Sequence, residues 1–367
     1  MQKRNLEIDR LRAIAVLITM YAHLNYVLLG GWQWYSDTQP LWNASIGVFM
    51  FFGISGYLIS STLLPDLDRS SNKGNALLRF WTRRFTRIMP LALLWISVTL
   101  ACSLFFNSRG IFHKFEDNWP AAIAAALYHF NVYVSVAGSA SAYGPYWSLS
   151  LEEQFYLVFP LLAFAVRGRL FRLVCLAAAL VGMSFVPSAF SSLRMDGLIM
   201  GVMLFLIMPS APRIAGRKSV PVVVGLAVTV LLVALLVAAP AIMQAAGLGR
   251  HLVVALGAIS ALFVYLALQE RGFILPVGER TSRILDWIGT RSFGLYLIHL
   301  PAYMAAGEIA WRLPALDSIP GRAVLAAALL IVATELSYRF VEAPARRWGR
   351  SISWARPAKF VEDRQAA

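Results

Sequence analysis

Apolar residues run along this chain in stretches of roughly 15 to 23 positions, separated by short polar and basic segments. The stretches fall near 11–30, 46–64, 88–106, 119–136, 147–166, 170–187, 195–208, 220–239, 252–269, 289–308 and 320–341. A helix needs about 20 mostly apolar residues to cross the hydrocarbon core of a bilayer. The pattern therefore predicts an all-α integral membrane protein with eleven candidate spans.

The placement of Lys and Arg tests that number, because short cytoplasmic loops collect basic residues. Residues 1–12 hold four of them and residues 65–87 hold six, and Arg167, Arg169 and Arg172 form a third cluster. All three clusters are expected on the cytoplasmic side, which leaves room for only two crossings between 87 and 167. The stretch 119–136 is the one expected not to cross. It carries His129 and Asn131 and begins alanine-rich, and it reads as a re-entrant or surface helix on the outer side. The remaining loops then alternate, with Arg213, Arg217, Lys218, Arg271, Arg280, Arg283 and everything from Arg339 onward inside. About 27 of the 33 basic residues fall inside, and the expected architecture is ten transmembrane helices with both termini cytoplasmic.

Composition agrees. The chain of 367 residues is 59% hydrophobic and 14% charged, against about 25% charged in a typical soluble domain. A net charge of +14 on a soluble chain would suggest nucleic acid, but here it reflects basic cytoplasmic loops, and no nucleic-acid partner is expected. The first apolar run follows Lys3 and Arg4 without a small-residue cleavage site, so it reads as a retained span. Cys102 and Cys175 show neither metal-ligand spacing nor a disulfide framework. A single transmembrane domain over 1–350 with a short polar cytoplasmic tail at 351–367 is expected, without a fused soluble domain.

Against this background the polar residues inside the runs carry the information, because an ionisable group within a bilayer is costly and functional by default. Arg12 and His23 lie in the first run. Eleven helical residues make about three turns and rise about 16 Å, so both side chains share one face, with Arg12 near the cytoplasmic surface and His23 about halfway across. Phe51-Phe52-Gly53-Ile54-Ser55-Gly56 places two glycines where another helix or a ligand can approach, with Ser55 at a depth similar to His23. Arg84 and Arg87, three apart, are neighbours on one helix face, and arginine forks bind phosphate in bidentate fashion. With Arg83 and Arg12 they point to a phosphate-bearing cytoplasmic ligand. Trp147-Ser148-Leu149-Ser150-Leu151-Glu152-Glu153-Gln154-Phe155-Tyr156 sets adjacent carboxylates at a span entrance, in a pattern that also fits a helix cap. His299, followed by Pro301, is a second intramembrane histidine. It reads equally well as a packed residue or as a participant. Glu335 and Arg339, four apart, are expected to pair.

Together these motifs resemble the acyltransferase-3 family of bacterial membrane acyltransferases. The matches are Arg12 followed after ten residues by His23, Phe51-Phe52-x-x-Ser55-Gly56, Arg84-x-x-Arg87-x-x-Pro90, the Trp147–Tyr156 block, Tyr296-x-x-His299-x-Pro301 and Glu342-x-Pro344. The resemblance implies a ten-helix core in the bacterial cytoplasmic membrane that moves an acyl group, usually acetyl from acetyl-CoA, onto a hydroxyl of a surface glycan or glycolipid such as lipopolysaccharide or peptidoglycan. In that reading acyl-CoA is a co-substrate, with no permanently bound cofactor and no metal. His23 is the general base, a role suited to an imidazole that titrates near neutrality. Arg84 and Arg87, helped by Arg83 and Arg12, hold the CoA phosphates. Glu152 or Glu153 orients His23 or the acceptor. Ser55 donates to the oxyanion or carries the acyl group transiently. Trp147, Ser148, Tyr156 and His299 are expected around the acceptor. A transporter or flippase for a glycan precursor, or acylation of a small molecule such as a macrolide, are the alternatives.

Overall fold

A computed structural model of the protein describes residues 5–28, 33–38, 41–42, 45–137, 141–209 and 219–352. Among these residues all regular structure is helical, as a bilayer requires of a backbone that must satisfy its own hydrogen bonds. The expected cytoplasmic residues Lys3, Arg4, Arg213, Arg217 and Lys218, and the tail beyond Ile352, lie outside the described residues.

Among the described residues, six helices are long and apolar enough to cross a membrane: Ser45–Arg69, Lys73–Phe105, Phe190–Ile207, Val222–Ala245, Gly249–Leu268 and Ile319–Ser351. Two other helices, Tyr146–Ala165 and Ser292–Arg312, have 20 and 21 residues. They fall short in apolarity rather than in length, since they carry the Glu152-Glu153-Gln154 block and His299, Glu308 and Arg312. These two helices bring Glu152 and His299 into the bundle, while Ser55, Arg84 and Arg87 ride on two of the apolar spans.

We label the helices used below in chain order: α1 (Leu6–Ala22), α2 (Asn25–Leu28), α3 (Gln33–Thr38), α4 (Ser45–Arg69), α5 (Lys73–Phe105), α6 (Phe115–Ala126), α7 (Phe130–Ala137), α8 (Tyr146–Ala165), α9 (Arg169–Met183), α10 (Asp196–Ile207), α11 (Val222–Ala245), α12 (Leu252–Leu268), α13 (Glu279–Thr290), α14 (Ser292–Arg312), α15 (Ile319–Ser337) and α16 (Ala343–Ser351). The centre is formed by α1, α4, α10, α12 and α14, while α9 and α11 lie at the periphery. The crossing of α4 with α10 rests on glycine. A Cβ on Gly56 would sit 2.1 Å from the Leu198 carbonyl oxygen, and one on Gly201 would sit 2.4 Å from that of Gly53. The glycines of the Phe51–Gly56 segment therefore serve helix packing.

Four local features differ from the pattern-based expectation. The first apolar run is not one helix to residue 30: α1 stops at Ala22 and His23 caps it. The stretch 119–136 is two short helices, α6 and α7, broken around Tyr128, whose φ is +56°. Twelve and eight residues span about 18 and 12 Å, too little for either to cross alone. The connection 65–87 is helical rather than a loop. Here α4 runs on to Arg69, and α5 begins at Lys73, where the Asn72 side chain accepts the Asn75 N–H at 3.1 Å. Arg79 clamps this hairpin with two bonds to Asp66, at 3.0 and 2.8 Å. Finally, α15 leads through a π-helical turn at Tyr338–Glu342 into α16.

Candidate functional site

Arg12 of α1, Ser55 of α4, Arg84 and Arg87 of α5, Ser148, Glu152 and Tyr156 of α8, and Tyr296 of α14 line one cavity of about 70 Å³. The basic segment of α5 continues a spanning helix, so the register of that helix decides which arginines face inward. Arg84 lies over the rings of Phe80 and Tyr156, its guanidinium carbon 5.7 and 5.1 Å from their centroids. Arg12 is held by Asp9 at 3.1 Å. Among the described residues neither Arg84 nor Arg87 forms an ion pair. A cavity bounded by three arginines and a single lining carboxylate attracts an anion.

On α8 the two adjacent carboxylates part. Glu152 lines the cavity and accepts a hydrogen bond from the Tyr156 hydroxyl. Glu153 does not line it, and its Oε1 is buried without a partner. Ser148 sits 2.6 Å from the Tyr296 hydroxyl, and Tyr296 also donates to the Pro145 carbonyl at 3.0 Å. Trp147 packs edge-on against Phe52, with ring centroids 6.3 Å apart, rather than facing the cavity.

His23 stands one helix length from Arg12, where α1 ends. A helix end leaves carbonyls without intrahelical donors, and here each one finds a partner. The His23 ring Nδ1 is 2.9 Å from the Thr19 oxygen. The His23 N–H and the Tyr303 hydroxyl go to Met20, and the Tyr35 hydroxyl reaches the oxygens of Tyr21 and Ala22 at 3.2 and 3.3 Å. His299, wholly buried, places its Nε2 3.3 Å from His23 Nδ1 and its own Nδ1 3.3 Å from the Leu295 oxygen. A carbonyl only accepts, so these contacts assign the proton of each neutral ring to Nδ1. His23 Nδ1–H then serves Thr19 and His299 together, and His23 Nε2 carries the lone pair.

The structure therefore gathers Arg12, Arg84, Arg87, Ser55, Ser148, Glu152 and Tyr156 around one space, whereas the motif reading set Ser148 and Tyr156 around the acceptor, apart from the arginines. It sets the two histidines together just beyond that space. Tyr296 lines that space and touches the pair, its ring centroid 5.9 Å from that of Phe51 and 6.0 Å from that of His299. Besides that of Trp147, three placements add to the motif-based picture. Among the described residues a carbonyl and His299, rather than a carboxylate, hold His23. His299, expected among the acceptor contacts, is buried against His23. Arg83 lines not this cavity but a neighbouring groove that shares Arg84 and Arg87. Sequence reasoning assigned no role to Thr19 or Tyr296, although each stands one helical turn before a histidine, at the spacing that puts side chains on one face. Glu335 pairs with Arg339 as expected, and also receives Arg291, at 2.6 Å, and the Trp287 indole.

Residues 5–338 match the acyltransferase domain of the acyltransferase-3 family. Among curated proteins the chain is similar to the peptidoglycan O-acetyltransferase OatA of Listeria monocytogenes, 29% identical over 93% of this chain and 56% of the relative. It is similar also to the putative peptidoglycan O-acetyltransferase YrhL of Bacillus subtilis, 28% identical over 94% and 56%. The O-acetyltransferase OatA of Staphylococcus aureus is 28% identical over 93% and 57%. The chain spans little more than half the length of these relatives. No solved structure matches it. Six apolar helices and a match over nearly the whole chain lead to one conclusion: this multi-pass membrane protein belongs to the acyltransferase-3 family.

Proposed function

We propose that this chain is a membrane O-acetyltransferase that takes acetyl from cytoplasmic acetyl-CoA and places it on a hydroxyl of a cell-envelope glycan. The observation that carries the proposal is that α1 delivers Arg12 to an arginine-lined cavity and His23 to a histidine pair eleven residues away. The names of the relatives favour a peptidoglycan-type acceptor over lipopolysaccharide. In this reading ten helices cross the bacterial cytoplasmic membrane with both termini inside, and α6 and α7 sit on the outer side.

The CoA phosphates dock on Arg84 and Arg87 with Arg12 beside them, and the thioester arm enters the cavity. The acceptor hydroxyl gives its proton to His23 Nε2. The alkoxide attacks the thioester carbonyl, the C–S bond breaks, and the thiolate leaves with the proton returned from His23. As His23 becomes an imidazolium, its Nδ1–H keeps the Thr19 oxygen and His299 Nε2 as acceptors, which fixes the ring in a productive orientation. The Ser55 hydroxyl lines the cavity and donates to the developing oxyanion. Transfer is direct, without an acyl-enzyme. The Phe51–Tyr296 wall must part when both substrates are present, a gating step of the kind that completes many sites only on binding.

The test is to incubate the purified full chain with acetyl-CoA and a peptidoglycan oligosaccharide and follow the gain of one acetyl group by mass spectrometry. A His23→Ala variant of equal folded yield serves as control. Acetylation that needs both acetyl-CoA and His23 is expected. Product from the His23→Ala protein at the wild-type rate, or failure of wild type to use acetyl-CoA, overturns the proposal.

A further inference from the structure

Arg84 and Arg87 line two spaces at once. Beyond the small cavity lies a wider groove of about 280 Å³, walled by Arg79 and Arg83 of α5 and by Arg346 and Arg350 of α16. Six guanidinium groups therefore border it against one lining carboxylate, Asp66, which Arg79 already engages with two bonds. On the far wall, Arg346 bonds Glu342 at 3.2 Å, and Arg350 sits one turn further, its Nε 3.3 Å from the Arg346 oxygen. The helix is seated by close contact: a Cβ on Gly349 would lie 2.0 Å from the Thr86 hydroxyl oxygen. Only glycine lets α16 come near enough to α5 to close the groove. Residues 343–351 lie past the family match, which ends at 338.

Like charges held this close repel one another unless an anion lies between them. Paired guanidinium walls suit phosphate, which they grip in bidentate fashion. We propose that this groove is a second phosphate site, and that it takes the 3′-phosphate of the donor's ribose. This rests on the reading of acyl-CoA as donor. Coenzyme A carries a pyrophosphate next to its arm and a separate monoester phosphate on the ribose. With the arm in the small cavity, the pyrophosphate meets the shared residues Arg84 and Arg87. The ribose phosphate, further along the same molecule, falls between Arg83 and the α16 arginines. The helix α16 then selects coenzyme A over shorter thioester carriers.

The test compares binding of coenzyme A and 3′-dephospho-coenzyme A, which differ in that one phosphate, to the full chain in detergent. Wild type should prefer coenzyme A about tenfold or more, the scale of one charge-assisted phosphate contact. Arg350→Ala alters an exposed side chain and should lose most of that preference, with affinity for the dephospho form unchanged. Gly349→Val keeps every arginine but drives α16 off Thr86, and it should lose the same preference. Equal affinity of wild type for the two nucleotides, an unchanged preference in Arg350→Ala, or equal weakening of both nucleotides overturns the assignment. If wild type binds neither nucleotide, the donor reading itself fails, a distinct result.

Discussion

Towards one end of α1, Arg12 enters a cavity that Arg84 and Arg87 of α5 also line. At the other, His23 ends the helix and is held by a backbone carbonyl and one neutral ring. The first neighbourhood works through net charge, which reaches several ångströms and tolerates small displacements. The second works through hydrogen bonds that must be aimed, and a shift of a few tenths of an ångström undoes them. In the proposed reading, recognition of a polyanionic donor and placement of a proton acceptor thus fall to two places on one helix. Perturbing either end should leave a distinct kinetic signature.

The largest effect is expected at the histidine end. Replacing His23 with alanine removes the group proposed to take the hydroxyl proton, and general-base catalysis contributes about 10²- to 10⁴-fold. The turnover number should fall by that factor while coenzyme A affinity stays within about twofold. A parallel loss of donor binding would show that the two ends are not separable. At the arginine end, replacing Arg84 and Arg87 together with alanine removes the two proposed charge-assisted phosphate contacts, worth about 1.5–3 kcal/mol each. The donor KM should rise about a hundredfold or more, with turnover at saturating donor little changed. Loss of turnover with donor KM unchanged would break the comparison.

His299 sharpens it further. In the proposed mechanism it acts through His23, as a positioning residue. Glutamine retains an oxygen that can accept from His23 Nδ1–H, whereas leucine does not. We expect His299→Leu to lose turnover about ten- to a hundredfold, the scale of losing one aimed hydrogen bond to a group that becomes charged. It should also shift the pH dependence of turnover. His299→Gln should recover most of the activity and the wild-type pH profile. Equal loss in both variants would assign His299 to packing alone.

What could be read in advance follows the same division. The pairing of Arg84 with Arg87 was legible because both lie on one helix, where spacing alone decides the face. Their meeting with Arg12 followed from the basic-residue pattern, which put all three at one level. The histidine pair was not legible, since 276 positions separate His23 from His299 and nothing local joins them. The break at His23 was hidden as well. Ala22-His23-Leu24-Asn25 holds neither glycine nor proline, and the apolar run continues past it. The helix stops there because Tyr35 and Tyr303, from distant segments, satisfy its final carbonyls. The α16 arginines looked like any basic tail until Gly349 was seen against Thr86.

The smallest and most discriminating prediction concerns Glu152 and Glu153. Sequence could not choose between them, because neighbours on a helix point about 100° apart and only the position of the cavity tells which one matters. Glu152 faces that cavity and takes the Tyr156 hydroxyl. Glu153 lies off it, with one oxygen buried and unpartnered. Changing Glu152 to glutamine removes the carboxylate that lines the cavity beside its arginines and weakens the bond that steers Tyr156. Turnover should drop about tenfold, corresponding to about 1.4 kcal/mol of lost stabilisation. Changing Glu153 to glutamine replaces an unsatisfied buried carboxylate oxygen with part of a neutral amide, which costs less to bury. Turnover should stay within about threefold, and the midpoint of thermal unfolding should hold or rise. The reverse ranking would mean that the group acting on the acceptor is Glu153, reached from outside the cavity, and that the arginine end of α1 extends no further than donor binding.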